Sequence, residues 1–235
     1  MNPSTGRKTL LLTGAAGQLG TAIIELLVGQ LDIIALTHRA GLRAATADAP
    51  AFDPDVAQFI VRPVRVLSCD LTVQDRIIDA VKAIAGLGVR VDYVINSAAD
   101  SRFLGPVTDA VMLADDARRQ FELNVLAPTI VCSALFHFQW KNIPVAEQRV
   151  SILNMSSLSG IQLYGDSGQG FYAASKAAIN MLTMHMAAEY GRYGIKVNAL
   201  APNSFPKIVD TRVVASNALR ILNTDVSGNI FKIGE

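Results

Sequence analysis

The sequence predicts an α/β chain folded as a single domain, with a doubly wound parallel sheet of about seven strands and helices on both faces. Three observations predict it. Short apolar runs alternate with longer helical patterns along the chain. Several of those runs are continuously apolar, as strands covered on both faces are. A glycine-spaced turn joins the first apolar run to the first helical pattern. With 235 residues, 51% of them hydrophobic, the chain is long enough to bury one sizeable core.

Residues 9–13 (TLLLT), 32–37 (DIIALT), 64–68 (VRVLS), 91–95 (VDYVI), 149–155 (RVSILNM) and 195–200 (IKVNAL) read as strands, and 229–233 (NIFKI) as a seventh. Helical patterns fall at 18–29, 73–85, 114–138, 171–192 and 208–222. Thr72 stands where the N-cap of the second helix belongs. The Ala/Asp/Pro-rich stretch 40–57 reads as a surface loop. In a sheet of this kind, ligands bind beyond the carboxyl ends of the strands, at the switch point.

Composition excludes several classes. The formal net charge is +1, with no run of like charges, so neither nucleic acid nor an anionic membrane surface is expected as a partner. The apolar stretches are shorter than the ~20 residues of a membrane helix. The N-terminal MNPSTGRKTLLLTG does not read as a signal peptide. Cys69 and Cys132 have no motif spacing and are expected as two buried thiols in a reduced, cytoplasmic setting. Three histidines and two cysteines, none clustered, predict no metal site.

The stretch TGAAGQLG (13–20) follows the first strand and opens a helix, with glycines at Gly14, Gly17 and Gly20. Glycine lets the backbone turn tightly and approach a pyrophosphate, which rests on the N-terminus of the following helix. Such a triplet alone is a weak signal; its place after the first strand of an α/β chain makes it a dinucleotide turn. The second strand ends in LTHR (36–39), without an acid for a ribose 2′-hydroxyl, so His38 and Arg39 favour NADP over NAD.

Tyr172 and Lys176 lie four apart on a helical pattern and so share one face. A covered tyrosine beside a solvated lysine satisfies that spacing, and so does a proton donor beside the charge that tunes it. Pro128 lies four residues after Asn124 within a helical stretch. A proline ring clashes with the carbonyl four residues back and offers it no N–H, so the Asn124 carbonyl is expected to leave the helical ladder. An ordinary proline kink is the plainer reading of the same residue.

Taken together, TGAAGQLG, NSAA (96–99), Asn124, NMSS (154–157), YAASK (172–176) and VNALAP (197–202) resemble the short-chain dehydrogenase/reductase family, in its order and nearly at its spacings. The likeness spans almost the whole chain. It implies one Rossmann-type domain and an NADP-dependent oxidoreductase that moves hydride between nicotinamide and a carbonyl or secondary alcohol. It implies Tyr172 as general acid/base and Lys176 as the charge that lowers its pKa and holds the nicotinamide ribose. It implies Ser157, followed three residues later by Gly160, as the hydroxyl on the substrate oxygen, with Ser156 the competing choice. The Asn124 carbonyl would hold a water of the proton relay. For the cofactor it implies Gly14, Gly17, Gln18, Leu19 and Gly20 at the diphosphate turn and His38 and Arg39 at the adenosine ribose. It further implies Asp70 and Leu71 at the adenine, and Asn96, Ala98, Ala99 and Pro202 along the nicotinamide half, with Tyr172 and Lys176.

The chain also departs from that pattern. It has Asn-Ser-Ala-Ala at 96–99 where the family usually has Asn-Asn-Ala-Gly, and Asn203 where a glycine usually follows the proline. The interval from Ser157 to Tyr172 is slightly long, the extra length falling in 161–170. The segment 203–222 is short for a substrate lid: either the pocket is open to a bulky or carrier-borne substrate, or part of the lid has been lost. Gln162, Tyr164 and Phe205 are expected to face the pocket, and an apolar ketone or alcohol is the expected substrate. Met181, Met184 and Met186 read as core and subunit-interface residues, because the family packs this helix and the Asn124 helix against a second subunit. A homodimer or homotetramer is therefore expected. Trp140 receives no role. The glycine spacing also resembles nucleotide-sugar epimerases and dehydratases, and the altered turns also suit a cofactor-binding protein without turnover.

Overall fold

A computed structural model describes residues 7–38, 50–53, 58–61, 64–164 and 168–234, with the backbone alone at 50–53 and 58–61. Arg39 and most of the stretch 40–57 lie outside the described residues. The element order begins β1 (Thr9–Thr13), α1 (Gln18–Leu27), β2 (Asp32–Thr37), β3 (Pro50–Asp53), β4 (Gln58–Val61), β5 (Arg65–Ser68), α2 (Gln74–Gly86) and β6 (Tyr93–Asn96). It continues through α3 (Ala110–Phe121), α4 (Ala127–Leu135), β7 (Ser151–Met155), α5 (Gly170–Gly191), β8 (Lys196–Pro202), α6 (Thr211–Leu222) and β9 (Ile230–Ile233).

Seven strands pair in parallel in the order β5-β2-β1-β6-β7-β8-β9. β3 and β4 form a separate antiparallel hairpin, so the loop expected over 40–57 is in part a strand. Its partner run Gln58-Phe59-Ile60-Val61 carries the β-branched and aromatic residues that favour pairing.

Alternate residues of each central strand enter opposite cores, as the two-residue repeat requires. Leu10, Leu12, Ile33, Ala35 and Leu153 pack on one face with Ile23 and Leu27 of α1 and Val214, Ala218 and Ile221 of α6. Leu11, Ile34, Leu36 and Ile152 pack on the other with Ile77 and Val81 of α2, Val131 and Leu135 of α4 and Met186 of α5. The sheet order reverses at β1, whose neighbours β2 and β6 lie on opposite sides. The carboxyl ends of β1 and β6 therefore flank the crevice.

Three sequence expectations change here. Thr72 does not cap α2; it donates backbone N–H (3.0 Å) and hydroxyl (2.7 Å) to the Asp70 carboxylate, and Val73 takes the cap position. Trp140 is fully buried and donates its indole N–H to the Val91 carbonyl at 3.0 Å, closing the core below the sheet. The helical run Val107–Trp140 is long and apolar enough to cross a membrane, but its Val131, Cys132 and Leu135 pack against the sheet.

Candidate active site

The glycine turn is built around Thr13, the last residue of β1. Its Oγ1 accepts N–H bonds from Ser97 (3.0 Å) and Ala98 (3.1 Å), which tie the ends of β1 and β6 together. Gly14 has φ of +67°, and a Cβ there would lie 2.7 Å from Ala98 Cα and N. A Cβ on Gly20 would lie 2.4 Å from the Gly14 carbonyl oxygen and 2.6 Å from Ala15 Cα. The N-terminus of α1 carries no side-chain cap. An uncapped helix end above a cradle that a Cβ would fill suits an anionic diphosphate, so the residues present fit a dinucleotide. Gly20→Ala should lower both cofactor affinity and stability, the latter by about 1–3 kcal/mol, since only backbone atoms are in the way. Calorimetric cofactor titration and a melting curve check both effects.

Gln18, at the start of α1, donates to Thr211 Oγ1 at 3.0 Å, so the first turn of α6 touches the same mouth. His38 follows β2, with Nδ1 3.7 Å from Asp70 Oδ1. Hydrogen bonds from Thr72 hold the Asp70 carboxyl below its ordinary value.

The expected catalytic residues stand over the carboxyl ends of β6, β7 and β8. Lys176 is buried on α5, and its Nζ donates to the Met155 carbonyl at 2.8 Å. It lies 5.7 Å from the Tyr172 ring centre. Ser157, just past β7, hydrogen-bonds the Tyr172 hydroxyl. Ser156 is buried and turned away, its hydroxyl donating to the Lys176 carbonyl at 3.3 Å. Of the two serines, Ser157 is the one beside the phenol. The glycine three residues on has a steric reason: a Cβ on Gly160 would lie 2.6 Å from Lys176 C and 2.8 Å from Ala177 N. Gly160 thus lets the serine segment press against the helix that carries Tyr172 and Lys176.

Asn124 is buried in a π-helical segment, Glu122–Leu126, where the Ala127 N–H bonds the Glu122 carbonyl five residues back. Pro128 follows at the start of α4. Having no N–H, it leaves the Asn124 carbonyl without its usual α-helical partner, and the widened turn absorbs the ring without a break. The Asn124 side chain accepts from Asp100 N–H (2.8 Å) and donates to the Asp100 carbonyl (2.9 Å) and Ser175 Oγ (3.0 Å). Ser175 in turn donates to the Tyr172 carbonyl at 2.7 Å. The π-segment and the first turn of α5 are therefore one hydrogen-bonded unit. Behind it, Asn96 donates to Asn154 Oδ1 at 2.9 Å, and Asn154 to Thr183 Oγ1 at 2.9 Å.

The titration order differs from the sequence expectation. Burial pushes the Tyr172 phenol above its ordinary value, and the Ser157 hydrogen bond only partly offsets it. Burial pushes Lys176 down to about 8. Burial is thus the largest influence on both groups, and the Ser157 hydrogen bond is the one that acts on Tyr172 in the other direction.

Sequence reasoning missed Phe103, Ser175, Asp100 and Thr211. Phe103 is exposed, with its ring 6.0 Å from that of Tyr172. Ser175 lies inside the Tyr-x-x-x-Lys stretch and carried a signal by position; Asp100 and Phe103 sit on a loop and Thr211 opens α6, and none of the three carried one. Of the residues expected at the pocket, Gln162 and Tyr164 hydrogen-bond each other at 2.8 Å in the loop before α5. Phe205 is partly buried against the core instead. In the segment 203–222 expected as the lid, α6 buries Val214, Ala215, Ala218, Ile221 and Leu222 in the core on one face, while Thr211 of its first turn meets Gln18. Met186 enters the core, while Met181 and Met184 are exposed, and Ala98 is packed at the edge of the second core with Ala99 exposed beside it.

A family model described as short chain dehydrogenase matches residues 8–218. The chain belongs to the short-chain dehydrogenase family. This short-chain dehydrogenase is an oxidoreductase, as are relatives named in the same terms. It is similar to an uncharacterized oxidoreductase of Mycobacterium tuberculosis, 32% identical over 207 residues (86% of this chain, 69% of the relative). It is also similar to carbonyl reductase family member 4 of Xenopus tropicalis, 27% identical over 198 residues (83% and 74%). A Brucella ovis oxidoreductase of the short chain dehydrogenase/reductase family, solved with a partially ordered NAD, superposes with a TM-score of 0.75 at 25% identity, covering 97% of this chain and 99% of that one. ElxO, solved with NADP, shares the fold at a TM-score of 0.78 and 20% identity, covering 97% of each chain. Structures of this fold thus hold NAD in one case and NADP in another.

Proposed function

We propose that this short-chain dehydrogenase is an NADP-dependent carbonyl reductase and alcohol dehydrogenase in which Tyr172 moves the proton. The observation that carries the reading is the convergence of Tyr172, Ser157 and buried Lys176 over the strand ends beside the glycine turn. The bound nicotinamide would supply or accept hydride; the rest is the work of the chain's own side chains. Gly14, Gly17, Gln18, Leu19 and Gly20 hold the diphosphate, Asp70 and Leu71 the adenine, and Asn96, Ala98, Ala99 and Pro202 border the nicotinamide half.

The Tyr172 hydroxyl gives its proton to a carbonyl oxygen, or takes one from an alcohol in the reverse direction. Its raised pKa keeps it protonated through the neutral range, the state a carbonyl-reducing acid needs. Ser157 Oγ bonds the same oxygen as charge develops there. Lys176 holds the ribose hydroxyls and carries a proton at Nζ below about pH 8. Asn124 positions the loop at Asp100 through its side chain and offers its carbonyl to a relay water. An apolar ketone or alcohol fits a mouth with Phe103 beside Tyr172 and a short segment over it, open enough for a bulky or carrier-borne substrate. The exposed Met181 and Met184 of α5 suit a homodimer or homotetramer, and free, buried Cys69 and Cys132 suit a cytoplasmic protein.

NADP is favoured by the absence of an acid in the 36–39 stretch, where His38 and Arg39 follow the strand. A fluorescence titration with NADPH and NADH tests it. Tighter binding of NADPH is expected, with the preference lost in Arg39→Ala. A strong preference for NADH removes His38 and Arg39 from cofactor recognition.

A further inference from the structure

Phe103, the exposed aromatic beside Tyr172, sits on the loop that leaves β6, and that loop has no strand or helix of its own. Its backbone at Asp100 and Arg102 is held by side chains. The Asp100 N–H donates to Asn124 Oδ1 at 2.8 Å, and the Asp100 carbonyl accepts from Asn124 Nδ2 at 2.9 Å. The Arg102 N–H donates to the Asp100 carboxylate at 3.0 Å. Gln120 of α3 adds two bonds from one nitrogen: its Nε2 donates to the Asp100 carbonyl (3.2 Å) and to the Arg102 carbonyl (2.9 Å). The Arg102 guanidinium pairs with Asp100 at 2.7 Å and with Asp116 at 3.3 Å, but it is exposed, and such a pair adds little to the hold.

Gln120 precedes Asn124 by four residues, so the two amides stand one turn apart on the same helical face. It is fully buried. Both of its partners are carbonyls, so the nitrogen must face the loop and Oε1 is left over. That oxygen is buried and has no hydrogen-bond partner among the described residues. An orphaned amide oxygen costs stability, and an apolar side chain of similar volume avoids the cost. Packing therefore does not explain the glutamine; its two bonds to the loop do. They tie Asp100 to Arg102, the residue before Phe103. The Phe103 ring then stands 6.0 Å from that of Tyr172, tilted by 49°, and the residue is 54% exposed. An open apolar face is left beside the phenol.

We propose that Gln120 is a positioning residue for the substrate side of the site: it fixes Phe103 beside Tyr172, and Phe103 selects carbonyls that carry a flat apolar ring. The ring rests against the open Phe103 face while the carbonyl oxygen meets the Tyr172 hydroxyl. Two aromatic rings in stacked or edge-on contact gain more than the area they bury, and a puckered ring of the same size lacks that gain. The selection rests on the proposed role of Tyr172; the clamp on the loop does not.

Amide hydrogen exchange over residues 97–104 tests the clamp, and kinetics with acetophenone and cyclohexyl methyl ketone at saturating NADPH test the selection. In Gln120→Met, exchange in the loop should be about fivefold faster, as loss of one hydrogen bond gives, with α3 unchanged. Gln120→Glu keeps the shape but turns an oxygen toward both carbonyls, and it should speed the same exchange without altering the packing. Wild type should favour acetophenone. Gln120→Met should lose that preference through KM, raised about two- to tenfold for acetophenone, more than through kcat. Phe103 is exposed, so Phe103→Leu should fold as wild type does and lose the same preference. Exchange equal to wild type in both Gln120 variants overturns the clamp. Equal use of the two ketones by wild type overturns the selection, as does turnover of neither by an enzyme that reduces other carbonyls, or an undiminished preference in Phe103→Leu. If no carbonyl at all is reduced, the reading of Tyr172 fails instead, and the exchange rates still decide the clamp.

Discussion

Tyr172→Phe should lower turnover by about 10²- to 10⁴-fold, the usual contribution of a positioned acid or base, while cofactor affinity changes little. The phenylalanine keeps the ring that stands 6.0 Å from Phe103. It deletes one hydroxyl, whose partner Ser157 remains half-exposed and finds water in its place. The fold should therefore lose no more than about 1 kcal/mol, the net worth of one hydrogen bond. Steady-state kinetics, a cofactor titration and a melting curve on the same preparation separate the three effects. If turnover is unchanged, the proton comes from elsewhere and the proposed mechanism is wrong.

Lys176→Met should abolish most activity and make the protein more stable near pH 7. Burial lowers Lys176 from 10.5 to about 8. At about 1.4 kcal/mol per unit, holding the charged form in the folded chain costs on the order of 3 kcal/mol. Methionine fills a similar volume without a charge, but strands the Met155 carbonyl, which returns about 1–3 kcal/mol of that gain. The net expectation is a stabilisation of about 0–2 kcal/mol, or at most a few degrees in Tm. Its pH dependence has a definite sign. The folded value lies below the unfolded one, so between about 8 and 10.5 the unfolded chain binds a proton that the folded chain does not. Wild-type stability therefore rises with pH across that window relative to the variant. The advantage of Lys176→Met is full below pH 8 and shrinks as pH climbs toward 10.5. Denaturant melts at several pH values measure it; an advantage that grows with pH contradicts a buried, protonated Lys176.

Much of this was legible in the chain because the central strands are covered on both faces. TLLLT and DIIALT carry no polar side, and a continuous apolar run between helical patterns has few other destinations. Pro128 was legible as a fault in a helix, but the widening of the turn through Glu122 and Ala127 was not, since a kink answers the same residue. The helix over 211–222 was legible as a helix, but which of its faces meets the core was not. Its Val214, Ala218 and Ile221 repeat at helical spacing, yet nothing local says whether that face meets substrate or the back of the sheet. The titration order of Tyr172 and Lys176 was out of reach for a similar reason. Spacing puts the two on one face, but burial decides their pKa values, and burial belongs to β7 and the Gly160 turn packed against them. Gly160 was readable as part of a pattern; the cause, a helix backbone within 3 Å of where a Cβ would be, appears only in three dimensions.

The most direct measurement is the loss of nicotinamide absorbance when purified protein and NADPH meet a panel of apolar ketones and aldehydes. Oxidation of the cofactor with at least one of them, lost in Tyr172→Phe, is the result predicted. Saturable NADPH binding with no oxidation across the panel would contradict the account and leave a cofactor-binding protein without turnover.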